Sequence, residues 1–281
     1  MTPFEITTAS VGEMSDLRKW AHDEGWNPGE SDVLAFHSAD PGGFFVGRLD
    51  GEPVASVSGV RYGADFGFIG LYIARPSVRG RGYGIQLWRT AMEHLAGRNI
   101  GLDGVVAQQD NYRKSGFRRA WTHVRYEGVP AAEPAPGDIA VVDGRSIPFA
   151  RLAAYDRRFF PAARDAFLAT WVGMPGHTSL AAVRDGELRG FAVMRPAQTC
   201  SRIGPLYAAS PDIALALVRA MSAGAPQSVV ALDVPDINSR AVELVERLGL
   251  SPTFECARMY TGPDPEVDTA GIYAPTTIEL G

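Results

Sequence analysis

The chain has 281 residues, room for two domains of about 100–200 residues each. Hydrophobic residues make up 46% and charged residues 21%, which excludes a disordered or fibrous chain and leaves ample material for buried cores. Against 27 Lys plus Arg stand 32 Asp plus Glu, and a net charge of -5 gives no general attraction to nucleic acid or an anionic membrane, so any anion site must be local.

The two cysteines, Cys200 and Cys256, form no C-x-x-C pair and no metal spacing, which predicts a reducing, cytoplasmic setting. Residues 1–6 carry no basic segment followed by an apolar run, and no apolar stretch reaches about 18 residues. Neither a signal peptide nor a membrane span is expected.

Two helical patterns come first, over 11–23 and 30–38. The turn-rich loop Glu24-Gly25-Trp26-Asn27-Pro28-Gly29 between them has the makings of a substrate lip. Asp50-Gly51 is a hairpin-turn signal and opens a strand over 53–62; a second strand runs Phe66–Ala74. Then comes Arg79-Gly80-Arg81-Gly82-Tyr83-Gly84. Ile85, Trp88, Met92 and Leu95 follow at helical spacing, and Gly97 ends the pattern. A strand over 102–107 follows. The stretch 128–137 holds proline at a density that supports neither helix nor sheet, and it reads as a linker. The predicted domains are therefore 1–127 and 138–281.

The second half repeats the first. Asp185-Gly186 opens a strand over 188–195, and Ile203-Gly204-Pro205-Leu206-Tyr207 answers Ile69-Gly70-Leu71-Tyr72. Ile213, Leu217 and Met221 form a helical face, then a strand holds Leu232-Asp233-Val234, and Gly249-Leu250 answers Gly116-Phe117. Each copy reads as a hairpin, then strand–helix–strand, hence an α/β (α+β) fold with a mixed sheet flanked by helices. Arg258-Met259-Tyr260 reads as a final strand facing an interlobe cleft. The cluster of Tyr155, Arg157, Phe159, Phe160, Pro161 and Arg164 is expected to pack on the neighbouring lobe.

The glycine loop is the most specific feature. Three glycines in six residues let backbone N–H groups turn inward, a helix start adds partial positive charge, and two arginines add full charge. Together they make an anion cradle suited to a pyrophosphate. A Walker loop is excluded because no Lys-Ser or Lys-Thr follows, and the alternate glycine spacing does not fit a dinucleotide fingerprint. The five histidines, His22, His37, His94, His123 and His177, have no metal-ligand spacing, and His94 is expected at the surface. No metal site is expected.

Arg79 to Gly84 resembles the [Gln/Arg]-x-x-Gly-x-[Gly/Ala] cofactor loop of the GNAT acyltransferases. Tyr112-Arg113-Lys114-Ser115-Gly116-Phe117 is similar to that family's Tyr-x-x-x-Gly-Phe. The resemblance covers roughly residues 4–127 well. The second half keeps the layout but lacks the glycine loop, and Val245 stands where the first has Tyr112. This looks like the bacterial tandem-GNAT subgroup: two tandem GNAT-like lobes, each with a mixed, mainly antiparallel sheet, the second lobe silent.

The resemblance implies acetyl-CoA lying in a splay between the strands over 66–74 and 102–107, as co-substrate. Backbone groups of Tyr72, Ile73 and Ala74 would hold the pantetheine, and Arg79, Gly80, Arg81, Gly82, Tyr83 and Gly84 the pyrophosphate. Lys114 or Arg113 would touch the ribose phosphate. Tyr112 is the expected general acid. For the base, Glu24 is placed first because it sits in the Trp26 loop, ahead of Asp32, Asp65 and Asp103. The expected partner is a small-molecule or peptide amine, with no nucleic acid and no membrane. A non-catalytic acyl-CoA sensor or scaffold, and an enzyme using a longer acyl group, are the competing readings.

Overall fold

The computed structural model describes residues 4–132, 137–225 and 227–281. The middle of the linker predicted over 128–137 therefore lies outside the described residues. The first half supplies strands β1 (Phe4–Thr8), β2 (Phe44–Leu49), β3 (Glu52–Tyr62), β4 (Phe66–Ala74), β5 (Asn99–Val105) and β6 (Arg118–Gly128). Its helices are α1 (Met14–Asp23), α2 (Asp32–Ala39), α3 (Tyr83–His94) and α4 (Gln109–Lys114). The second half opens with β7 (Ala140–Asp143), α5 (Phe149–Asp156), α6 (Asp165–Gly173), β8 (Thr178–Arg184), β9 (Glu187–Pro196) and β10 (Ser201–Ala208). It continues with α7 (Pro211–Ser222), β11 (Val230–Pro235), α8 (Ser239–Arg247), β12 (Ser251–Tyr260) and β13 (Ile272–Ala274).

The hairpins fall where the Asp-Gly pairs place them. Asp50 and Gly51 have φ of 50° and 81°, and Asp185 and Gly186 have 55° and 76°. Positive φ at both central residues is what a type I′ turn needs.

All the strands join one sheet, in the order β1-β2-β3-β4-β5-β12-β6-β11-β10-β9-β8-β7, with β13 added alongside β10. The order is nearly a palindrome, because each half contributes the same series of strands from opposite ends. At the centre the last strands are exchanged. β12 pairs antiparallel with β5, from Cys256↔Val105 to Tyr260↔Gly101, although β6 follows β5 in the chain. β6 in turn pairs with β11, from Val230↔Gly128 to Pro235↔His123. The strand read from Arg258-Met259-Tyr260 thus lies in the middle of the sheet where the two halves meet, and β13 follows it in the chain.

Packing follows this exchange. Ala257 and Met259 of β12 belong to the first half's core, with Leu87, Trp88 and Ala91 of α3 and Leu95 at its C-cap. The second half's core places Ile213, Leu217 and Met221 of α7 and Leu244 of α8 over the sheet. A third core fills the space between the halves, where Phe36 of α2 stacks on Trp171 of α6 at 6.3 Å. Phe160 sits edge-on to Tyr62 at 4.7 Å, so the aromatic–basic cluster does pack across the halves. No helix among the described residues is long and apolar enough to cross a membrane.

Candidate active site

β4 and β5 pair in parallel only from Phe66↔Asn99 to Ile69↔Leu102. Beyond Ile69 the two strands part while both continue, and the gap is the splay expected from the sequence. A bulge marks the parting point. Ser56 and Ser58 of β3 face Ile73 and Gly70 of β4, so one residue of β3 spans two of β4. Leu71 takes φ 46° there, a left-handed conformation that a branched residue adopts only under strong constraint. Ser56 Oγ donates to the displaced Leu71 carbonyl at 2.8 Å, fixing the bulge from the buried side.

A cleft of about 500 Å³ opens from this splay. Tyr72, Ile73, Ala74, Arg79, Gly80, Gly82, Tyr83, Gly84, Glu24 and Tyr112 all line it, as do Trp26 and Val105. Two expected residues do not. Arg81 is exposed and lies over the Tyr83 ring at 5.2 Å, and Lys114 is exposed on α4. The loop has the backbone geometry that its glycines allow. Gly80 and Gly82 have φ of 74° and 81°, and Gly82 is the N-cap of α3 without a side-chain cap. The first-turn N–H groups of α3 are thus left to an anion.

Glu24 forms an ion pair with Arg79, whose Nε donates to the Ala74 carbonyl at 2.8 Å. The carboxylate expected as the base is therefore tied to the glycine-loop end of the cleft. The other expected carboxylates are engaged or remote. Asp32 is buried with Arg195 at 2.8 Å, and Asp65 is exposed in the β3–β4 turn. Asp103 accepts from Arg258 Nη2 and Nε at 2.8 Å each. Burial would raise the Asp103 carboxyl, yet Arg258 and His123 hold it below the usual range.

Asp103, His123 and Cys256 come within 4.8 Å of one another, a grouping that sequence spacing did not reveal. The His123 lone pair is already used. Nε2 accepts from Trp121 Nε1 at 2.8 Å, which puts the proton on Nδ1, 3.1 Å from Asp103. Burial keeps the Cys256 thiol well above its ordinary value. His94 is not at the surface; it is partly buried, with Nε2 3.2 Å from Asp40.

Tyr112 sits at the inner end of the cleft. Its ring stacks on Trp88 at 5.4 Å, and a Cβ on Gly104 would come within 2.7 Å of it, so that glycine makes room for the ring. Its hydroxyl has no hydrogen-bond partner among the described residues. Burial pushes its pKa up, with Tyr72 adding to the effect, so the hydroxyl stays protonated.

Two family models match the chain: the acetyltransferase (GNAT) family over residues 11–124 and the acetyltransferase (GNAT) domain over 152–274. A holothin acyltransferase from Pseudoalteromonas sp. is 30% identical over 275 residues, 97% of this chain and 93% of that protein. The chain belongs to the GNAT superfamily. Two solved structures share the tandem layout. A putative acetyltransferase from Pyrococcus horikoshii superposes with a TM-score of 0.81 at 22% identity, covering 99% of this chain and 96% of that one. A tandem GNAT protein from the clavulanic acid biosynthesis pathway superposes at 0.66 with 18% identity, covering 93% and 100%.

The second GNAT half has the counterpart of each element and a different use for it. β10 and β11 pair in parallel only at Ser201↔Val230 and Arg202↔Ala231, so they splay as well. Here β13 fills the gap, pairing with Leu206 and Tyr207 of β10. The helix start is closed too. Ser210 Oγ accepts from Ile213 N at 3.4 Å, and Pro211 removes one N–H donor.

This half instead helps to hold the Trp26 loop of the first, together with Arg125 of β6. Arg125 and Arg202 both donate to the Trp26 carbonyl, at 2.7 and 2.9 Å, and Arg202 also to that of Asn27 at 3.1 Å. Asn27 Nδ2 reaches Thr199 at 2.8 Å. Asp233 neutralises both arginines; burial opposes its ionisation, but Arg125 and Arg202 override it. Behind the splay lies a small inner pocket of about 30 Å³, bounded by Trp26, Leu71, Tyr72, Tyr112, Phe254, Cys256 and Glu279. Sequence reasoning missed Phe254, Cys256 and Glu279, because no motif links the end of the chain to the splay.

Proposed function

We propose that this GNAT acyltransferase moves an acetyl group from acetyl-CoA to a primary amine by direct transfer, with Tyr112 as general acid. One observation carries the reading: an uncapped glycine-rich helix start, an open splay and a partnerless tyrosine hydroxyl all line a single cleft. The thioester would supply an activated acyl group. Backbone from Tyr72 to Ala74 would align the pantetheine, and the bulge at Leu71 would orient backbone donors toward developing oxyanion charge. Tyr112 would protect the departing thiolate by hydrogen bonding and then give up its proton. Its raised pKa means that this transfer completes late, as sulfur charge builds.

The inner pocket of about 30 Å³ favours a short acyl group over a long chain. The acceptor is proposed to be a small-molecule or peptide amine, and holothin, named for the relative, is the first compound to try. A cytoplasmic setting fits two unpaired cysteines, and the net acidity argues against nucleic acid or an anionic membrane as partner. The test is a thiol-release assay with acetyl-CoA against holothin and a panel of primary amines. Amine-dependent release of CoA is expected. Tight acetyl-CoA binding without turnover of any amine would favour the sensor instead.

A further inference from the structure

The segment from Ile272 to Gly281 is buried throughout. Tyr62 donates to the Leu280 carbonyl at 3.1 Å, and Arg164 to that of Gly281 at 3.1 Å. The segment passes so close to β4 that a Cβ on Gly70 would lie 1.9 Å from the Glu279 carbonyl oxygen. This brings Glu279 to the wall of the inner pocket that Tyr112 also lines. Glu279 is only 2% exposed, and neither carboxylate oxygen has a hydrogen-bond partner among the described residues. Every other carboxylate weighed for the base is paired or exposed. A buried carboxylate without a partner costs stability, and such a cost persists where a site uses the group.

We propose that Glu279, reaching the splay from the far end of the chain, is the base that takes the proton from the acceptor amine. The inference rests on the acyl-transfer reading above. As the amine nitrogen bonds to the thioester carbonyl carbon, its surplus proton passes to the Glu279 carboxylate. The C–S bond then breaks, and the thiolate takes its proton from Tyr112. Glu279 afterwards loses its proton to solvent and Tyr112 regains one, so amine plus thioester give amide plus thiol. Burial raises the Glu279 carboxyl above its ordinary value of 4.5; Arg202 and Arg125 offset this, while Asp32 and Asp233 reinforce it. A base raised toward working pH is well matched to the task. Tyr72, Asp103, Tyr112 and Cys256 are the other titratable groups lining the pocket, and none of them is a free carboxylate.

The experiment compares the native chain with Glu279→Gln and Glu279→Asp, using acetyl-CoA and whichever panel amine the native chain acetylates best. Acetyl-CoA titration of each variant shows whether the cleft is intact. E279Q is expected to bind acetyl-CoA normally, lose roughly 10²–10⁴-fold in kcat/KM, and lose the acidic limb of the pH profile. Glu279→Asp is expected to keep that limb. A second readout needs no acceptor. Because the folded carboxyl holds its proton to higher pH than the unfolded one, native stability falls as pH rises from about 4.5 through the folded value. The Tm of E279Q relative to native is therefore expected to climb across that window. An E279Q variant with native rate and limb, or with a Tm gap that shrinks as pH rises, overturns the assignment and makes Glu279 a charge partner of Arg202 and Arg125. A native chain that acetylates no amine overturns the transfer reading and this base with it.

Discussion

Tyr112 shows how much of the site a single side chain concentrates. The sequence offers it through Tyr112 and Phe117 at family spacing, and the structure gives it a stacked ring, a glycine opposite and a free hydroxyl. Removing only the hydroxyl tests the role with the packing intact. Tyr112→Phe is expected to lower kcat roughly 10²-fold while the affinity for acetyl-CoA stays native, read by steady-state kinetics and titration. Equal loss in binding would make the tyrosine structural. The base was less legible. Glu24 has the right chemistry in the right loop, but Arg79 claims it, and an ion pair between loops 55 residues apart leaves no mark on local sequence. Glu279 is 167 residues from Tyr112 in the chain, so only the fold reveals them as neighbours.

At the scale of elements, the hairpins, β4, α3 and the glycine loop were readable because local chemistry dictates them. Asp-Gly pairs set the turns, helical spacing sets α3, and positive φ demands glycine at 80 and 82. The strand exchange was not readable. β6 and β12 are both suitable strands, and which neighbour each one takes depends on long-range packing that periodicity does not encode. The plugging strand β13 is three residues long, too short to carry a pattern. The exchange has a consequence for folding. A fragment ending at residue 132 keeps β1 to β6 but loses β12, which separates β5 from β6. It is expected to lack a cooperative urea transition, whereas the whole chain has one. A sharp transition and native-like circular dichroism from the fragment would show that β6 can take the place of β12.

For the whole molecule, duplication has separated two tasks. One half keeps the glycine loop with its uncapped helix start, the splay and Tyr112. The other fills its own splay, caps its own helix, and lends Arg202 and β12 to the first half's loop and core. The second half is thus part of the same site without repeating it, and the buried ion pairs of Asp233 and Asp32 join the halves at the Trp26 loop. This division makes a stoichiometric claim. The most direct measurement is calorimetric titration of the chain with acetyl-CoA, beside a Gly82→Val variant that forces a β-branched residue into the left-handed N-cap of α3. One site per chain, abolished in the variant while its fold persists, is the expected result. Two equivalent sites, or a single site indifferent to Gly82→Val, would contradict the account.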